Sequence, residues 1–384
     1  MDSRAVFSVL IADVNFYYLD EGWLLIPLVV PVYCQTLIIL TQPKGIWMMS
    51  KKFFLSAAAL LVSSFTAQAF AEEVNVYSNR QDFLIKPIVD EFTKETGIQV
   101  NLVNIPDGLG ERLEREGRLS PADLVLTVDI SRLMDVVDKD LTQPLDNAVL
   151  EENIPAQYRD ADGKWFALTT RARVVYSSAE RVGKTDVTYE ELADPKYKGK
   201  ICTRSGKHPY NVALTAAMIA EHGSENTKQW LEGLKANLAQ KPQGGDRDQV
   251  KAIRDGVCDY ALGNSYYYGA MLNNEEQRAW AEAAVVNFPN QADRGTHVNI
   301  SAVALTKHAK NKDAAVKLME YLVSDDAQHL YASLNHEYPV KSGVAPSELV
   351  KSWGEYKADS LPLTDVAKHA KEAIQLMDEV QYDL

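Results

Sequence analysis

The pattern of apolar and polar positions changes period regularly from residue 74 onward. Residues 74–78, Val-Asn-Val-Tyr-Ser, read as a strand. Residues 81–96 follow as a helix, because Leu84, Ile88 and Phe92 recur at every fourth position and Gly97 supplies a stop. Strand, helix, strand and helix are then predicted at 98–103, 109–117, 123–128 and 131–137. The run 123–128 is almost wholly apolar, as a strand covered on both faces should be. This order predicts a mostly parallel sheet with helices on both sides.

Residues 165–177 break the rhythm. They are long, β-rich and carry Arg171 and Arg173, which suits a strand crossing between two lobes. A second α/β series follows, with strands at 200–203, 259–262 and 284–288 and helices at 210–221, 225–237 and 246–255. Residues 297–306 are a second long β-like segment and a candidate return crossing. Helices at 313–323 and 326–334 are expected to pack on the first lobe, and 364–380 is the last helix. The expected fold is an α/β two-lobed clamshell with the lobes joined by two crossing strands. Lobe 1 is predicted to comprise 72–170 plus 295–342, and lobe 2 to comprise 171–294 plus 343–384. The cleft of such a clamshell is a natural small-ligand site.

The chain ahead of residue 72 is of another kind. Met49-Ser-Lys-Lys52 is basic, 53–65 is an apolar run too short to span a bilayer, and Ala69-Phe70-Ala71 is a small-x-small cleavage pattern. Residues 49–71 are therefore read as a secretory signal peptide cleaved after Ala71, which predicts a periplasmic mature protein. Residues 1–48 precede this signal and are read as an extension upstream of the true start, Met48 or Met49. Within it, 23–40 is apolar enough to be a membrane candidate, with two prolines inside.

The chain has 384 residues with a net charge of −13 spread along its length, which argues against a nucleic-acid partner. Cys202 and Cys258 fall at predicted strand positions; in an oxidising compartment they can pair, or they can remain two buried thiols. No Gly-x-Ser-x-Gly elbow, His-Glu-x-x-His, P-loop or zinc-type Cys/His cluster occurs.

What stands out is Asp259-Tyr-Ala-Leu-Gly-Asn-Ser-Tyr-Tyr-Tyr-Gly269. Asp259 to Leu262 reads as a buried strand, Gly263 ends it, and Asn264 or Ser265 can cap a helix that begins with Tyr266, Tyr267 and Tyr268. Ligands of open α/β sheets sit at such strand ends. A phenol ionises near pH ~10, so a phenolate at neutral pH needs a strong cation beside it. An aromatic cluster in a core or at a lobe seam would look the same in sequence. Tyr210 starts a helix after Ser205-Gly-Lys-His-Pro in a similar way. Arg80 follows the first strand and Arg171 sits in the crossing, where each could bind an oxyanion or make an ordinary surface ion pair.

From residue 74 to the end the sequence resembles the periplasmic ferric-iron-binding proteins of ABC importers, which have the type II periplasmic-binding-protein fold. The resemblance rests on Val76-Tyr-Ser-Asn-Arg80, Ser120-Pro-Ala-Asp-Leu-Val-Leu-Thr-Val-Asp-Ile-Ser131, Leu168-Thr-Thr-Arg-Ala-Arg173, Lys241-Pro-Gln-Gly-Gly-Asp-Arg-Asp-Gln249, Gly263-Asn-Ser-Tyr-Tyr-Tyr-Gly269 and Asn335-His-Glu-Tyr-Pro-Val340. It implies Fe³⁺ as the bound solute and Tyr210, Tyr266 and Tyr267 as its ligands. Tyr268 is implied to be a packing or outer residue. Relatives that also supply a ligand from the first lobe have His-Tyr after the first arginine. This chain has Gln81-Asp82 there and so resembles the tyrosine-only subgroup. The resemblance further implies a synergistic anion, carbonate, held by Arg80 and Arg171 with Ser205 as a helper. Contact of Tyr77, Gln81 or Asp82 with the metal or its waters stays open. The implied partner is an ABC permease in the inner membrane, with the binding protein a monomer and not an enzyme. Two other functions fit the same scaffold: capture of an organic solute such as a polyamine or phosphorylated compound, and an extracellular enzyme.

Overall fold

The computed structural model describes residues 72–384 together with two short strands near the start of the chain. Those two, Ser8–Ile11 and Val14–Tyr17, pair antiparallel within a separate unit that ends at Ala69. The signal segment 49–71, its cleavage point and the apolar stretch 23–40 lie outside the described residues. Among the described residues no helix is long and apolar enough to cross a membrane.

The second unit carries a sheet of nine strands. In chain order they are β1 Glu73–Ser78, β2 Gln99–Asn104, β3 Leu124–Thr127, β4 Phe166–Ser178, β5 Ile201–Cys202, β6 Tyr260–Asn264, β7 Ala284–Asn287, β8 Val298–Leu305 and β9 Tyr338–Pro339. The main path runs β2-β1-β3-β8-β4-β6-β5, and β7 and β9 each add to β4. Pairing is parallel within β2-β1-β3, as the alternating rhythm predicts, and within β5-β6. Pairing of β8 with β3 and β4, and of β4 with β6, is antiparallel, so the sheet is mixed. The reason is topological: a chain that leaves one lobe and returns along the same path must run in opposite directions on the two passes.

All of β4 is buried. Its first half, through Ala172, pairs with β8, and its second half, from Arg173, pairs with β6 and β7. At the changeover Val298 of β8 lies opposite Ala172, and Arg173 N donates to His297 O at 2.9 Å. Two connections between the halves, along β4 and into β8, therefore pass through one place; the chain crosses again after β9, since Val350 and Trp353 pack beside the second half. One apolar core, including Val76, Leu126, Phe166 and Leu318, packs around the first half. Two others, around Val175, Leu214 and Leu231 and around Val174, Val250 and Val286, flank the second half.

The predicted last helix is in fact two, Leu363–Lys368 and Ala370–Glu379. Leu363 packs into the first core, whereas Val366, Ala373 and Leu376 pack into the second. The first of these helices therefore touches both cores, and the chain breaks after it at His369.

Cys202 and Cys258 are joined as a disulfide with Cα atoms 6.0 Å apart. The bond ties β5 to the turn before β6, the two strands whose ends carry the tyrosines. Closing a separation of 56 residues constrains the unfolded chain by about 4 kcal/mol. The Cys258→Ser variant is expected to lose stability of that order in chemical unfolding, with an unchanged midpoint contradicting it.

Candidate metal centre

Tyr210 occupies the second position of the helix Pro209–His222. Pro209 presets the first turn, and His208 Nδ1 accepts from Tyr210 N at 3.3 Å. Burial, assisted by the charge of Arg204, lowers the His208 pKa to about 3. The ring is therefore neutral and able to act as that acceptor. Tyr266 and Tyr267 open the helix Tyr266–Leu272 directly after β6. The expected side-chain cap by Asn264 or Ser265 is not made. Both side chains turn to the crossing strand instead: Asn264 Oδ1 accepts from Arg173 Nη1 at 3.0 Å, and Ser265 Oγ accepts from Ala172 N at 3.3 Å. The tyrosine helix is thus fastened to the point where β4 passes between the lobes.

The Tyr210 and Tyr266 hydroxyls lie 3.2 Å apart, and the rings of Tyr266 and Tyr267 are 4.2 Å apart between centroids. A small octahedral cation with bonds of about 2.0–2.1 Å holds adjacent oxygens about 2.9 Å apart. The first two oxygens are therefore spaced to share one ion after a shift of a few tenths of an ångström. All three tyrosines line a cavity of about 530 Å³ whose other walls include Arg80, Asp129, Arg132, Arg171 and Glu337. Its size is typical of a small-molecule site.

Burial, reinforced by the Tyr210 and Tyr267 phenols, holds the Tyr266 hydroxyl well above the ordinary phenol range, and Arg171 opposes this. Burial, with Tyr210 and Asp246, likewise raises Tyr267. Both phenols keep their protons until a strong cation displaces them. Three guanidiniums surround Tyr210: Arg204, Arg171 and Arg173 lie 5.4, 5.9 and 5.9 Å from its ring centroid. Arg173 is held by Asp246 at 2.6 Å and donates to Asn211 Oδ1 at 2.6 Å, which fixes the helix turn bearing Tyr210. Burial alone would raise the Asp246 carboxyl, but Arg173 and Arg204 more than reverse this and leave it lowered.

The two arginines expected at the anion differ. Arg171 is buried, yet the only hydrogen bond its guanidinium makes among the described residues is from Nη1 to Ser301 Oγ at 3.1 Å; Nε and Nη2 have no partner. Leaving buried donors unmet costs about 1–3 kcal/mol each, which an anion would recover. Arg80 lines the cavity too, but Nη2 pairs with Glu337 Oε2 at 2.6 Å and Nη1 donates to Ser301 Oγ at 2.6 Å. Arg80 thus reaches the cavity with a carboxylate already on Nη2, and its Nε has no partner among the described residues. Ser205 also reaches the cavity, but its hydroxyl donates to Asp383 Oδ2 at 2.6 Å and accepts from Lys207 N at 3.2 Å, so it shapes the loop before Tyr210.

Gln81 lines the cavity, whereas Asp82 begins the next helix and meets Asn104 Nδ2 at 3.4 Å on the exposed rim. Tyr77 faces away. Its hydroxyl donates to Glu116 at 2.9 Å and its ring lies 4.5 Å from the Arg112 guanidinium, because alternation along β1 turns it to the helix-covered side. A metal contact by Tyr77 is excluded in this arrangement. Tyr268 is a packing residue, stacked on Tyr176 at 6.3 Å and edge-on to Trp353 at 5.8 Å. Of the residues the sequence did not single out, Asp246 and Glu337 lie within motifs already quoted, and a buried acid in each could have been suspected. Ser301 and Arg204 had no such signal.

The fold and the site have known counterparts. The family of bacterial extracellular solute-binding proteins matches residues 87–358. Iron uptake protein A1 of Synechocystis sp. is 43% identical over 312 residues, covering 80% of this chain and 87% of that protein. The apo ferric ion-binding protein A of Pasteurella haemolytica superposes with a TM-score of 0.80 at 59% identity, covering 82% of this chain and 99% of that one. A Trichodesmium protein solved in complex with iron and citrate ligands superposes with a TM-score of 0.76 at 40% identity, covering 81% and 99%. The chain belongs to the bacterial extracellular solute-binding proteins, among the iron-binding members of that family. It is a binding protein and not an enzyme.

Proposed function

We propose that the protein captures ferric iron in the periplasm on Tyr210, Tyr266 and Tyr267, with carbonate as a synergistic anion, and delivers it to an ABC permease of the inner membrane. The observation that carries this is the pair of phenolic oxygens 3.2 Å apart beside Arg171, a buried guanidinium with two unpartnered nitrogens. Three phenolates balance the charge of Fe³⁺, and hard oxygen donors suit it better than thiolates or imidazoles. Fe³⁺ displaces one proton from each phenol. The anion then fills coordination positions the protein leaves open, with two of its oxygens on Arg171 Nε and Nη2. Arg80 supports this indirectly, since it shares Ser301 Oγ with Arg171. All three tyrosines stand on the half of the fold built on β5 and β6, so iron is held before the cleft closes. Arg171 stands at the changeover of β4, already 5.9 Å from the Tyr210 ring, while Arg80 follows β1 on the other half and would draw nearer on closure. Secretion through the 49–71 signal supplies the location, and the similarity to iron uptake and ferric ion-binding proteins supports the cargo.

The test is a titration of residues 72–384 with a weak ferric chelate in bicarbonate. A tyrosinate-to-iron charge-transfer band should grow and saturate at one iron per chain. Absence of the band, with iron available, would turn attention to organic solutes.

Binding is expected to depend steeply on pH. Tyr266 and Tyr267 are raised above their ordinary value near ~10, so both are protonated throughout the neutral range in the iron-free protein. Each proton released makes affinity fall as pH falls, by about 100-fold per pH unit or more for the two together at fixed free ferric-ion activity. Band intensity followed against pH at buffered iron checks this, and a flat profile would contradict it.

A further inference from the structure

Arg80 and its partner Glu337 are almost fully buried, at 1% and 2% exposure. Besides the contact to Arg80 at 2.6 Å, Glu337 Oε2 accepts from Thr169 Oγ1 at 3.2 Å. The carboxylate is also held by its neighbours in the chain. Tyr338 and Pro339 of β9 pair with Thr170 and Thr169 of β4, so the segment is stitched to the crossing strand. On the other side, His336 packs against Gly269 of the tyrosine helix, where any Cβ would collide with its ring, and its Nε2 accepts from Asn273 Nδ2 at 2.9 Å. The backbone on either side of Glu337 is therefore tied both to the crossing strand and to the tyrosine helix. Arg171, across the shared Ser301 hydroxyl, has no carboxylate partner among the described residues. Of the four arginines that line the cavity, Arg80, Arg132 and Arg204 each pair with a carboxylate and Arg171 does not; Arg80 keeps one unpartnered donor, Nε.

We infer that Glu337 determines which anion accompanies the metal: by neutralising Arg80 it leaves Arg171 as the single free guanidinium and selects a small planar oxyanion such as carbonate over a tetrahedral one such as phosphate. This rests on the proposed tyrosinate site. The two unpartnered groups of Arg171, Nε–H and Nη2–H, form one edge of the guanidinium fork. Such an edge matches two oxygens of a planar anion. Phosphate carries more charge and more acceptors, and it gains from each additional cationic donor. Releasing Arg80 would supply that donor.

The experiment loads wild type and the Glu337→Gln variant with ferric iron in either bicarbonate or inorganic phosphate as the sole anion. The charge-transfer band gives the apparent affinity in each. Wild type should favour bicarbonate by about tenfold or more, and Glu337→Gln should narrow or invert that ratio by at least about tenfold. A ratio unchanged in Glu337→Gln overturns the assignment. Glu337→Gln leaves a buried Arg80 charge without its partner and can fail to fold. The double variant Arg80→Gln/Glu337→Gln removes both charges and should keep the wild-type ratio; a shift of tenfold there also overturns it. A wild type with no band in either anion would count against the tyrosinate site itself, so the two failures are distinguishable.

Discussion

Tyr266→Phe is expected to abolish or strongly shift the iron charge-transfer band and to weaken ferric binding by more than about 100-fold. The lower bound follows from comparison: removing a group that only supports a metal ligand already costs about 10–100-fold. Tyr266 has more direct work, with its oxygen 3.2 Å from that of Tyr210 and its ring 4.2 Å from that of Tyr267. Without it, only two phenolates face the trivalent ion and one hard anionic oxygen donor is lost. The protein should stay folded, since Phe keeps the ring that fills the cavity wall and only one hydroxyl is lost. A Tyr266→Phe variant with the wild-type band and affinity would remove Tyr266 from the metal. A melting curve alongside the spectrum separates loss of ligand from loss of fold.

The second large effect is expected at Arg171. Arg171→Gln should lower apparent ferric affinity in bicarbonate by about 10–100-fold. It should also make the remaining affinity insensitive to bicarbonate concentration, because the anion's partner is gone. The two changes belong together: a structural defect alone would lower affinity but keep its dependence on the anion. Binding measured across a bicarbonate series reads both, and an Arg171→Gln variant that retains the dependence would place the anion elsewhere. Gln retains an amide for the contact with Ser301, which is 3.1 Å from Arg171 Nη1. That limits the repacking around β4.

Much of this arrangement could be read from local pattern. The period change around residues 74–137 yields β1, β2 and β3 with their helices close to where they stand. The length of 165–177 marks the crossing strand, observed as Phe166–Ser178. The position of Tyr266 and Tyr267 after a buried strand pointed to a helix start, and both side chains line the cavity. Less legible were features set by contacts between distant residues. The pairing of Arg80 with Glu337 spans 257 positions, and no periodicity in either segment reports it. Whether Tyr77 faced the cleft or the helix layer depends on one register choice along β1. The caps expected from Asn264 and Ser265 were lost to partners on β4, which a local rule cannot weigh. Ser205 was drawn off in the same way, by Asp383 at the far end of the chain.

The most direct test of the central claim is anomalous diffraction at the iron absorption edge, from crystals of residues 72–384 loaded with ferric iron and bicarbonate. One strong peak within bonding distance of the Tyr210, Tyr266 and Tyr267 oxygens, with a planar density between it and Arg171, is the predicted result. A peak elsewhere, or full occupancy with none of the three tyrosines bonded, would contradict it.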